Sequence, residues 1–148
     1  MFIKTQNISD EAKERYLIGE QILRGNEAYR KKEAIESFEK IIELEPNWAK
    51  GYSKFAEIIV LVHGKIPNWK RANELADKAI KLDESLPEAH LAKSWYYQSE
   101  FEWEKAEKSM QRAIELDPKY AAAYNEYGLL LDFQRKFAAA EQKFEKAI

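Results

Sequence analysis

Cysteine is missing from this 148-residue chain, which excludes a disulfide framework, a thiolate nucleophile and any cysteine-ligated zinc centre. Histidine is nearly missing too. His63 and His90 are the only two, too few to assemble a histidine-based metal or catalytic cluster. Four prolines and five glycines leave little material for the turns of a β-rich fold, and the glycines form no phosphate-binding loop. Charge of one sign is scarce as well: the formal net charge is −2, with both signs interspersed. No broad basic surface is therefore expected for nucleic acid or an anionic membrane. The longest apolar run, Ile58 to Val62, falls far short of the roughly 20 residues of a bilayer span. The opening residues Met1 to Asn7 lack the apolar core of a secretory signal. These absences lead to the expectation of a cytoplasmic chain with no cofactor, no bound metal and no catalysis of its own.

What remains is rich in alanine, glutamate, lysine and leucine, the strong helix formers, so the expected class is all-α. The helix-forming material repeats. Glu43-Leu44-Glu45-Pro46, Lys81-Leu82-Asp83-Glu84 and Glu115-Leu116-Asp117-Pro118 lie in one register. A small-residue ladder accompanies them at Ala34, Ala72, Ala106 and Ala140, followed seven residues later by Ile41, Ala79, Ala113 and Ala147. A fixed period of this length is the signature of stacked supersecondary units. Ala106, Met110, Ala113 and Ile114 mark one face of a helix in the third unit. An earlier helix in each unit carries a small residue, Gly19, Ala56, Ser94 or Gly128, where two helices must approach closely.

Eight helices are predicted, over about 9–24, 27–44, 48–63, 69–82, 86–99, 102–116, 120–133 and 136–148. Residues 1–8 are expected to be a flexible lead. Residues 9–148 should form one domain of four units (9–46, 47–84, 85–118 and 119–148, the last incomplete). The loop His63 to Asn68 carries glycine and proline as breakers, with Asn68 as the N-cap of the following helix. Ser85-Leu86-Pro87-Glu88 reads as a capping box.

Tyr124, Tyr127-Gly128, Leu131, Ala140, Phe144 and Ala147, closed upstream by Pro118, make the best match to a known pattern. On these residues the chain resembles the tetratricopeptide repeat (TPR) family. The third unit follows with Tyr97, Ala106, Met110 and Ala113, but Lys93 stands where an apolar residue is usual. The resemblance covers roughly residues 10–148 and implies a right-handed superhelical stack of about four antiparallel helix pairs, a TPR-type α-solenoid. It also implies a protein-binding scaffold whose concave groove, lined by the first helix of each pair, takes a peptide segment of a partner. The lengthened first loop and Glu100-Phe101-Glu102-Trp103 are similar, more weakly, to TPR arrays attached to bacterial adenylate cyclases and winged-helix regulators. That likeness implies the alternative of a regulatory module in a larger signalling enzyme or transcription regulator. Chaperone-binding members hold a carboxylate with lysine and asparagine on the inner helices. Here those positions read Tyr16, Glu20, Lys50, Ser53, Lys54, Glu57, Glu88 and Ala92, so capture of chaperone tails is not expected.

Most aromatic residues fall on the structural period. Trp69, Trp103 and Phe137 form one ladder, Trp48, Leu86 and Tyr120 a second, and Tyr52, His90 and Tyr124 a third. Residues repeated at that period are expected to pack between neighbouring units, His90 among them. Trp95 stands outside every ladder, since its equivalents are Glu57 and Leu129. Its position faces the concave side, where an exposed tryptophan anchors a bound peptide. Alternatively, the neighbouring Lys93 disturbs the packing and draws Trp95 into the core. Phe133 is a second candidate anchor, and Leu129, Asn125, Glu126 and Asp132 complete a mixed patch. Lys54 and Glu57 are the candidate contacts further back along the groove. The last ladder residues lack the closing turn of the earlier units. Phe144, Ala147 and Ile148 are therefore expected to be uncovered, and a homodimer through them is a further alternative.

Overall fold

The computed structural model describes residues 7–25, 28–62 and 68–148, with the side chains of Ala28 and Val62 left aside. The His63–Pro67 part of the long loop and most of the expected lead lie outside the described residues. Among those described, eight α-helices and no strands are present. They are α1 (Asp10–Arg24), α2 (Lys31–Leu44), α3 (Ala49–Val62), α4 (Trp69–Leu82), α5 (Pro87–Ser99), α6 (Trp103–Leu116), α7 (Ala121–Phe133) and α8 (Phe137–Ala147). Consecutive helices pack as antiparallel pairs, and each pair packs on the next. α3 also touches α5 directly, Lys54 of α3 reaches Glu20 of α1, and α3, α5 and α7 line one cleft, so the odd-numbered helices share a face. None of the helices is long and apolar enough to cross a membrane.

The pairs close on matched side-chain sizes. Gly19 on α1 faces the Phe38 ring of α2, and a Cβ there would stand 2.2 Å from Phe38 Cε2. Gly128 on α7 faces Phe144 of α8 in the same way, at 2.6 Å from Cε1. The equivalent positions Ala56 and Ser94 are fully buried, as are Ala34, Ala72, Ala106 and Ala79 of the ladder helices. Close-packed interiors reward such complementarity, because a missing or extra methylene is felt directly. Phe144 is thus covered by α7 and joins the second core cluster, contrary to the expectation that it lies bare. Ile148 is fully exposed and Ala147 half-buried.

Two core clusters result. The first spans α1 to α4, with Ala92 of α5, around Phe38, Ile41, Phe55 and Ile59. The second spans α5 to α8 around Leu91, Met110, Tyr127 and Leu130. Trp95 packs against both. Ile8, assigned to the lead, is buried, and the neighbouring Ser9 amide donates to Glu45 Oε1 at 2.8 Å. Ser9 also caps α1, its hydroxyl accepting from the Ala12 amide.

Repeated turns join the elements. Each even helix α2, α4 and α6 ends at the ladder acid, whose amide donates to Ile41, Ala79 or Ala113. The Asp83 and Asp117 carboxylates then accept from the amides two residues on, at 2.9 and 3.0 Å. This corrects the expected capping box, because the Ser85 hydroxyl also turns back to Asp83. Pro87 is the first residue of α5, and its fixed φ sets the helix start one residue later than the box requires. Asn68 does cap α4, its Oδ1 accepting from the Arg71 amide at 3.0 Å. The start of α2 is also later than expected: a 3-10 turn over Ala28–Arg30 occupies its first residues.

The third ladder keeps its period in contact as well. Tyr52 Oη donates to the Pro46 carbonyl and His90 Nε2 sits 3.0 Å from the Glu84 carbonyl, each reaching six residues back. His90 is therefore a half-buried residue that ties a turn to its helix.

Candidate functional site

The odd-helix face holds two distinct regions. Toward its N-terminal end, α1, α3 and α5 enclose a small pocket of about 130 Å³ lined by Tyr16, Glu20, Lys50, Ser53, Lys54 and Glu88. Its charges are largely paired within the chain. Lys54 Nζ lies 2.6 Å from Glu57 Oε2 and 3.6 Å from Glu20 Oε1. Lys50 sits over the Tyr16 ring at 5.5 Å. Burial first, and then the carboxylates of Glu20, Glu57 and Glu88, push the Tyr16 hydroxyl well above its ordinary range. Lys54 and Glu57 thus hold each other, and they stand apart from the aromatic region.

The second region is a cleft of about 620 Å³ where the C-terminal turns of α3, α5 and α7 converge. α3 contributes Val60 and Leu61, α5 contributes Trp95, Gln98 and Ser99, and α7 contributes Glu126, Leu129, Leu130 and Phe133. Leu61, Ser99 and Phe133 occupy one repeat position, so the helical period itself aims three side chains at one place. The even helices close the far wall with Trp69 and Trp103, joined by Phe101 from the α5–α6 turn. The Trp103 ring lies 5.6 Å from Phe101, edge-on, and 5.4 Å from Phe133. Such spacings are those of attractive aromatic pairs.

This geometry revises two expectations. The ladder Trp69, Trp103 and Phe137 is only partly interior: Trp103 packs against the second core cluster, but Phe137 is 61% exposed and both tryptophans are half-buried at the cleft. Each is the first residue of its helix, where a side chain projects past the turn instead of into the seam between helices. That position was the available signal. Trp95 occupies both of the places considered for it, half-buried against the two core clusters and open to the cleft. Lys93 is settled separately, since its ammonium pairs with Asp77, reaches Asn73 Oδ1 at 3.3 Å and overlies the Tyr97 ring. Of the remaining candidates, Glu126, Leu129 and Phe133 line the cleft, whereas Asn125 and Asp132 are exposed beside it.

Phe101 has a backbone of its own kind. Its φ is +60°, in the left-handed region that L side chains avoid. The Phe101 amide donates to the Gln98 carbonyl at 3.1 Å and the Glu102 amide to Tyr97 at 2.8 Å, the bond pattern of a Schellman helix end. Arg135, one repeat later, has φ +59°, and the same pattern recurs: its amide donates to Asp132 and the Lys136 amide to Leu131.

Glu126 is the ionisable group of the cleft. Burial raises its carboxyl above the usual carboxylate range, and the neighbouring Trp95 indole offsets part of that rise. Burial also raises the Tyr120 hydroxyl, helped by Glu57, Glu88, Asp117 and Glu126. Among the described residues no group of histidines and carboxylates is placed to hold a metal ion.

Comparison with known proteins follows the same outline. Tetratricopeptide repeat family models match residues 109–142 and residues 30–47 and 87–120. Mouse DnaJ homolog subfamily C member 7 is 30% identical over 128 residues, covering 82% of this chain and 24% of that protein. A thermophilic TPR protein of Thermus thermophilus superposes with a TM-score of 0.79 at 17% identity, over 93% of this chain and 73% of that one. The second TPR of Spaghetti (RPAP3), bound to the HSP90 peptide SRMEEVD, superposes with a TM-score of 0.57 at 25% identity, over 70% of this chain and 93% of that one. The chain spans between 15 and 40% of the length of the curated relatives it matches.

Proposed function

Because this chain belongs to the tetratricopeptide repeat family, we propose that it is a protein-interaction module that binds a short segment of a partner protein. The segment lies on the odd-helix face, anchored in the cleft between α3, α5 and α7. One observation carries this reading. Of the eight large apolar side chains exposed among the described residues, four (Leu61, Phe101, Leu129 and Phe133) line this single cleft. Scattered exposed apolar residues are ordinary, but a contiguous cluster rimmed by polar groups marks a docking surface. The volume is in the range of pockets that enclose a ligand, and the half-buried Trp95 offers the aromatic anchor on which such sites depend.

The peptide held by the Spaghetti domain supports the idea that a TPR stack takes a peptide. The chemistry here differs from that peptide's needs. SRMEEVD is acidic, and the inner positions of this chain lack the lysine–asparagine pair expected to grip a chaperone tail. The short span of the chain relative to its curated relatives also fits the alternative of a regulatory module within a larger protein.

Immobilised chain should capture a defined protein from lysate of its own cells, and a Leu129→Ser, Phe133→Ser variant should lose it. Both residues are exposed, so circular dichroism should show the fold unchanged. A partner retained equally by parent and variant would overturn the cleft as the anchor.

A further inference from the structure

The docking reading leaves open what the bound segment carries, and the lining of the cleft narrows it. Twelve residues line it, and Glu126 alone among them is ionisable. Glu126 lines the cleft with the Trp95 indole, and no described lysine or arginine perturbs it. Elsewhere on the odd-helix face the positive charges are spoken for. Lys54 occupies the same repeat position as Glu126, two units earlier, and is held by Glu57 and Glu20. Lys93 is turned away toward Asp77 on α4. The cleft therefore presents one partly desolvated negative charge among indole and phenyl rings, with no cation of the described chain to meet it.

A carboxylate withdrawn from water is costly until it is paired. Aromatic faces next to it attract cations by their quadrupoles, and a guanidinium suits both at once because it stacks flat and hydrogen-bonds in a fork. We infer that the segment bound in this cleft is basic: an arginine or lysine flanked by large apolar side chains. Its cation pairs with Glu126 against the indole rings, and its apolar neighbours lie on Leu61, Leu129 and Phe133. The inference rests on the docking reading and adds the sign and type of the recognised side chain. An acidic or carboxylate-terminated segment would meet a like charge in the cleft and is disfavoured by the same geometry.

The test is a selection of random displayed peptides on the immobilised chain, followed by titration of end-blocked synthetic copies of the enriched sequences. Trp69, Trp95 and Trp103 report occupancy through their fluorescence. The enriched peptides should share an arginine or lysine beside leucine or phenylalanine. Replacing that basic residue by glutamine should weaken binding by roughly tenfold or more, the scale of a charged hydrogen bond. Glu126→Gln should cost about as much, since glutamine keeps the side chain's shape and removes only its charge. Combining both changes should add little further, as expected of interacting partners.

Peptides that lose binding with Leu129→Ser, Phe133→Ser but carry no basic residue, or ignore Glu126→Gln, would overturn the cationic assignment and leave the docking reading standing. No enriched peptide, or none sensitive to Leu129 and Phe133, would overturn both. A chain whose own self-association, seen by sedimentation, fills the cleft and is released by Phe133→Ser would replace the basic partner with a second copy.

Discussion

At the scale of single residues, Gly19 and Gly128 leave the least room for a side chain among the described glycines, each facing a phenylalanine ring. An alanine at Gly19 would gain helix propensity worth about 1 kcal/mol, but its Cβ would sit 2.2 Å from Phe38 Cε2. Phe38 is fully buried, with Tyr16 and Phe55 at ring-centroid distances of 5.6 and 6.0 Å, and has nowhere to go. Gly19→Ala is therefore expected to lower stability by about 1–3 kcal/mol, the usual cost of overpacking. Gly128→Ala should cost less, because Phe144 is only half-buried on the last helix and can swing outward. Urea denaturation of the two variants decides it; equal losses would mean that Phe38 has more room than its neighbours suggest. The same scale explains why one repeat position hosts Lys54, Ala92 and Glu126. The backbone asks only for a residue on that face, and the local neighbours fix its charge.

At the scale of elements, the α5–α6 and α7–α8 turns are built alike but used differently. A left-handed conformation costs a non-glycine residue about 1–2 kcal/mol, and both Phe101 and Arg135 adopt it. Glycine relieves that strain at some entropic cost in the unfolded chain, about 0.5–1 kcal/mol. Phe101→Gly and Arg135→Gly should each raise stability by up to about 1 kcal/mol, while only Phe101→Gly weakens peptide binding, because only Phe101 lines the cleft. Thermal melts and the fluorescence titration measure the two effects separately. A loss of stability in Phe101→Gly would show that its edge-on contact with Trp103 outweighs the strain.

These elements were largely legible in the sequence. The alanine ladder and the closures after Leu44, Leu82 and Leu116 place most helix ends to within a residue. Where a boundary moved, at Lys31 and Pro87, a local turn or a proline decided it against the periodic pattern. The cleft was only half legible. Trp95, Glu126, Leu129 and Phe133 could be found as departures from the ladders, but Trp69 and Trp103 hid within one. Periodicity reports that a residue recurs, and cannot separate a recurrent helix start that faces a cleft from a recurrent seam.

At the scale of the whole molecule, the stack is two cores with a shared residue. In a solenoid, stability is approximately a sum of unit terms and nearest-neighbour interface terms, so a residue common to two clusters carries coupling as well as packing. Trp95 is that residue, helped by the Lys93–Asp77 pair across α4 and α5. Trp95→Ala should cost about 2 kcal/mol, less than the ~3–5 kcal/mol of a fully buried tryptophan. Its signature should lie in cooperativity: the amides of α7 and α8 should exchange ahead of those of α1 to α4, and the denaturant slope should fall as the halves unfold apart. Leu91→Ala serves as the comparison, because Leu91 is buried in the second cluster alone. That variant should lose comparable stability yet keep a single transition. If Trp95→Ala instead keeps the parent's denaturant slope and loses protection evenly along the chain, the two clusters are one cooperative core and Trp95 belongs to the cleft first.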